Sequence, residues 1–124
     1  MPENDLKPGF WRRELIDPAL DEDAARKIAE QKAWIAADPA NPRPYYHLAQ
    51  LYRMQHRRDD ALGLLLEAVR LEPAFAEAHA ALTEMYAVAD DYPAAWRHAR
   101  AAESSGLPAA AALLERHRIP EPSR

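Results

Sequence analysis

The chain has 124 residues, enough for one domain at most, with 27 alanines, 11 prolines, only 3 glycines and no cysteine. Alanine is the strongest helix former, and the prolines fall between apolar segments, so an all-α chain is expected. A net charge of -4 argues against nonspecific binding to nucleic acid or to an anionic membrane, and the missing cysteines exclude disulfides and thiolate metal sites.

Residues 1–20 read as an N-terminal arm. Pro2, Pro8 and Gly9 discourage regular structure, yet Leu6, Phe10, Trp11, Leu15 and Ile16 are more apolar than a disordered tail needs. Such residues either fold back over the first helices or dock on a partner or another copy of the chain. The arm lacks a basic start followed by an apolar core, so no signal peptide is expected, and the cytoplasm is the expected location. The apolar runs are too short for membrane insertion.

The spacing predicts a helical domain over 21–118 and a frayed tail over 119–124. A first helix is expected from about Asp21 to Ala37, capped by Asp17 or Asp21 and stopped by Asp38-Pro39. Asn41-Pro42 then opens a second helix, a capping residue followed by proline, running to about Met54. The third is expected from Asp59 to Leu71, the fourth from Phe75 to Ala89, the fifth from Pro93 to Glu103, and a last one from Pro108 to Arg118. Asp59-Asp60 and Asp90-Asp91 open helices, where capping and the helix dipole account for them.

A period of 34 residues runs through this pattern. Leu48 maps onto Leu82, Tyr52 onto Tyr86, Ala61 onto Ala95, Ala68 onto Ala102, and Pro39-Ala40 onto Pro73-Ala74. A fixed period of this length points to stacked helical hairpins, which act by offering a surface to a partner. One hairpin cannot bury its own face, so about three units are needed for stability, and the flanking helices complete that number.

The hairpins resemble the tetratricopeptide repeat. In residues 42–75 the matching set is Tyr45, Leu48, Ala49, Tyr52, Ala61, Leu65, Ala68 and Pro73. Residues 76–109 match less fully: His79 takes the large position, Thr83 replaces the small residue, Ala99 replaces the large apolar one, and the proline moves to Pro108. Upstream, Ala33-Trp34-Ile35 and Asp38-Pro39 resemble the end of a preceding second helix. Phe10 and Trp11 lie where its first helix would be.

The resemblance implies a short right-handed α-solenoid that is not an enzyme. It implies a partner groove lined by first helices: Arg43, Tyr46, His47, Gln50, Arg53 and Met54 in one repeat, then Glu77, Ala80, Ala81, Glu84, Ala87 and Val88 in the next. Phe10 and Trp11 are a second expected contact. A peptide or helix of mixed charge with an apolar ridge would suit such a groove. Tyr46 and Gln50 stand where chaperone-tail clamps carry lysine and asparagine, so that ligand is not expected.

Other classes fare worse on the residues. The five histidines, His47, His56, His79, His98 and His117, are never three or four apart, so no helix face presents two imidazoles to a metal. No glycine-rich phosphate loop exists, and Ser104, Ser105, Ser123 and Thr83 lack a nucleophile motif. No cofactor is expected. The basic runs Arg12-Arg13, Arg57-Arg58 and Arg97-His98-Arg100 alternate with acids, so they read as solvated faces rather than RNA contacts. The expected function is a non-catalytic adaptor, scaffold or assembly subunit. Self-association through open helical ends is the main alternative, and a metal-binding or enzymatic accessory role built on scattered histidines is the weaker one.

Overall fold

The computed structural model describes residues 18–122, with side chains from Glu22 onward, and all its regular structure is helical. The helices are α1 (Pro18–Ala37), α2 (Pro42–Met54), α3 (Arg58–Leu71), α4 (Ala76–Val88), α5 (Tyr92–Ser104) and α6 (Ala109–Arg116). Consecutive helices pack pairwise into a short α-solenoid: α2 with α3, α4 with α5, with α1 before and α6 after.

Local chemistry sets the boundaries. Asn41 is extended and its Oδ1 accepts from the Arg43 amide at 3.1 Å, with Pro42 as the first helical residue of α2. Asp91 does the same for α5, accepting from the Ala94 amide at 3.2 Å. The acids at the start of α3 are different. Asp59 and Asp60 lie in its first turn, where the dipole favours them, but neither caps it, and the Arg57 Nε donates to Asp60 instead. Helix α1 starts at Pro18 rather than Asp21, so Asp21 lies within the helix, and the other expected cap, Asp17, lies outside the described residues.

Four helices end on a residue in the left-handed region: His56 and Asp90, both at φ 61°, Gly106 at 98° and Arg118 at 57°. Each reversal lets the next amide bond back to a carbonyl five residues earlier. The bonds are Arg57 N to Tyr52 O, Asp91 N to Tyr86 O and Leu107 N to Ala102 O, all 2.9 Å, and Ile119 N to Leu114 O, 3.0 Å. The first two are one repeat apart, so the 34-residue period fixes backbone geometry as well as side-chain type.

The core follows the repeat. Leu48, Ala49 and Tyr52 of α2, Ala61, Leu65 and Ala68 of α3, and Phe75, Ala78, Ala81 and Leu82 around α4 form one buried cluster. Ala95, Trp96 and Ala99 of α5 with Ala110, Ala111 and Leu114 of α6 form a second, and Tyr86 packs against both. Alanines at the crossings let the helix axes approach closely, as packing ridges into grooves requires.

The expected fraying of the tail is not what the structure shows for residues 119–122. The Trp96 indole N–H donates to the Ile119 carbonyl at 3.1 Å. Arg100 makes a two-pronged pair with Glu121, at 2.9 and 2.6 Å. The tail lies along α5 because an indole and a guanidinium there provide donors that sequence spacing does not reveal.

Candidate partner-binding surface

Tyr46, Gln50 and Arg53 follow one another at intervals of four and three on α2, so they share one helix face. Glu77, Ala80, Ala81 and Glu84 do the same on α4. These seven residues and Leu107, from the turn before α6, line one depression of about 180 Å³. The charges at its rim are tied together. Arg53 donates to Gln50 Oε1 at 3.1 Å and to Glu84 Oε2 at 3.0 Å, joining α2 to α4. The pair is half-open to solvent, so it contributes at most about 1 kcal/mol to stability. Burial, reinforced by the Glu77 carboxylate, raises the Tyr46 hydroxyl above its ordinary pKa, so it stays a neutral donor.

A second depression of about 150 Å³ continues the surface past Arg53 and Glu84 to His56, Arg58, Met85 and Val88. His56 sits in the turn after α2 and Arg58 opens α3. The sequence marks Arg57-Arg58 as a solvated face, but the place of Arg58 beside Glu84, Met85 and Val88 depends on how the helices pack.

The expected site residues do not all converge. Tyr46, Gln50, Arg53, Glu77 and Glu84 come together. His47 does not: it lines a separate cleft between α1 and α2, with Lys27, Glu30, Gln31, Trp34, Gln50, Leu51 and Met54. One residue along a helix is about 100° of rotation, which moves a side chain to another face. Arg43 lies with its guanidinium 5.3 Å from the Phe75 ring centre, and Tyr46 is 5.2 Å from that same ring. Phe75 thus packs beneath both, and part of Tyr46 is spent on packing rather than on the open surface. Phe10 and Trp11 lie outside the described residues.

One constellation was invisible to spacing. His79 Nδ1 lies 3.0 Å from His98 Nδ1, both rings buried, with Tyr86 stacked on His98 at 5.5 Å. His79 Nε2 is 2.8 Å from the Pro73 carbonyl, which can only accept. In the neutral pair His79 therefore carries its proton on Nε2, and His98 Nδ1–H donates to His79 Nδ1. Burial first, and then His79 and Arg97, push His98 down to about 4. Among the described residues no three histidine, aspartate or glutamate side chains are grouped to hold a metal ion. The pair's visible work is to lock α4, α5 and the turn at Pro73 together.

Stacked antiparallel hairpins, with a mixed-charge surface along their first helices, define an α-helical repeat array. The chain belongs to the tetratricopeptide repeat family, whose family model, described as tetratricopeptide repeat, matches residues 21–106. Members of this family are in general non-catalytic modules for protein–protein interaction. No curated protein and no solved structure gives a significant match. Among the described residues no helix is long and apolar enough to cross a membrane.

Proposed function

We propose that the protein is a non-catalytic adaptor, scaffold or assembly subunit that holds a peptide or helix of a partner protein along the α2–α4 surface. One observation carries this reading: Tyr46, Gln50 and Arg53 face Glu77 and Glu84 across a floor that includes Ala80 and Ala81. The small floor residues admit a ligand backbone. The aromatic ring gives an anchor, and the Arg53–Glu84 pair offers one charge of each sign.

The test is affinity capture from the source cells with the wild-type chain and with the double variant Tyr46→Ala, Arg53→Glu. The bound partner is expected to disappear from the variant while its helical circular dichroism is kept. Capture unaffected by the double change in a folded variant would remove the α2–α4 surface from consideration.

A further inference from the structure

We propose that residues 8–17 of this chain dock in the cleft between α1 and α2, where Phe10 and Trp11 cover Gln31, Trp34, Leu51 and Met54. The cleft is about 480 Å³ and open. It exposes 58% of Trp34 and 78% of Met54, two of the large apolar residues most open to solvent.

The chain's own repeat shows what such a cleft accommodates. Shifted by 34 residues, Lys27, Gln31 and Trp34 of α1 become Ala61, Leu65 and Ala68 of α3. Those three are 0% exposed, because α2 lies over them. The α1 cleft is thus the seat of a first helix that would precede α1, and among the described residues nothing occupies it. Inside it the Gln31 Oε1 is buried and, among the described residues, meets no hydrogen-bond donor, an unfavourable state unless something supplies one. The opposite end of the array is closed by the chain itself: α6 packs on Trp96 and Ala99, and Ile119 accepts from the Trp96 indole.

The sequence before α1 fits the seat. Seventeen residues precede Pro18. Pro8 stands 34 residues before Pro42, and Trp11 stands 34 before Tyr45, so the opening proline and the large residue of a first helix are both present. Glu14 and Pro18 stand in place of Leu48 and Tyr52. The seat is altered in the matching sense: Lys27 and Gln31 replace Ala61 and Leu65, and so suit a partly polar occupant. Lys27 pairs with Asp23 at 3.1 Å and Glu30 lies 3.9 Å from Arg26, exposed pairs that Glu14 and Arg12 or Arg13 of a docked arm would join. Reach is sufficient. Pro18 and Trp34 are about 24 Å apart along the helix, and the eight residues from Phe10 to Pro18 span up to about 27 Å when extended.

The experiment is proton NMR on the full, isotope-labelled chain, at a concentration where light scattering gives a monomer. Nuclear Overhauser contacts are expected from the Trp11 indole and Phe10 ring to the Trp34 ring and the Met54 methyl. A second variant, Trp34→Lys, is expected to abolish them and to raise amide exchange of residues 8–17 at least tenfold, with the contacts of α2 to α3 kept. Absence of all contacts from Phe10 and Trp11 would overturn the proposal. So would contacts that appear only between labelled and unlabelled chains in a mixed sample, since these would make a second copy the occupant.

Discussion

Tyr45 and His79 hold the same place in successive repeats and make the same bond with different chemistry. The Tyr45 hydroxyl donates to the Pro39 carbonyl at 2.9 Å, and His79 Nε2–H donates to the Pro73 carbonyl at 2.8 Å. Both tie the start of a first helix to the turn before it. Histidine has a second ring nitrogen, so in the second repeat the bond extends on to His98. Replacing Tyr45 with Phe removes the first of these bonds and is expected to cost about 1 kcal/mol, read from the urea midpoint. The His79 link, buried and doubly used, is expected to cost more when His79 is changed to Phe, because His98 then keeps a buried N–H without an acceptor.

The histidine pair makes stability depend on pH. The folded chain holds His98 at about 4, below its ordinary value of 6.5. The unfolded chain therefore binds a proton at higher pH than the folded one. The contribution of neutral His98 is present in full above about pH 6.5 and is lost as pH falls toward 4. Carboxylates titrate at the low end of this window, so the comparison is with a variant. In urea unfolding at pH 7, 6, 5 and 4.5, the wild-type midpoint is expected to fall more steeply than that of His98→Asn. Equal slopes would show that the pair does not couple folding to protonation.

The helix crossing of the first hairpin is built on a residue with no room to grow. Ala61 is fully buried against α2. Ala61→Leu is expected to overpack it and to cost on the order of 1–3 kcal/mol in thermal or urea unfolding. Leu65→Ala beside it is expected to cost about 2–5 kcal/mol through the cavity it leaves. An unchanged melting curve for either variant would contradict the placement of the α2–α3 seam.

The left-handed turn residues predict changes of opposite sign. Gly106 has φ 98° and open space where a Cβ would sit, so Gly106→Ala is strained by the backbone alone and is expected to destabilise by about 1 kcal/mol. Asp90 holds φ 61° without being glycine. Asp90→Gly is expected to be neutral or mildly stabilising in the same assay.

Much of the architecture was written in local chemistry. The 34-residue period, the Asn41-Pro42 opening and the alanines at 49, 61 and 68 each have a cause within one turn of helix or one repeat, and the helices formed as their spacing implied. What escaped depends on how helices cross. His79 and His98 lie 19 residues apart and meet only because α4 packs on α5. Ile119 and Glu121 look like fraying tail residues until Trp96 and Arg100 lie alongside them. At the candidate surface, the positions of Tyr46, Gln50, Arg53, Glu77 and Glu84 were legible from helix phase. Arg43 lies against the Phe75 ring, a neighbour contributed by a distant part of the chain, whereas His47, one residue past Tyr46, faces the α1 cleft by helix phase alone.

Photocrosslinking in the source cells asks whether a partner segment lies between α2 and α4. A photoreactive amino acid is placed at Gln50 or Ala80 in the depression, and at Arg70 on α3 as the comparison. One partner is expected to be trapped from positions 50 and 80, with the same crosslinked peptide from both, and not from position 70. Trapping of that partner from position 70 but from neither 50 nor 80 would contradict that placement.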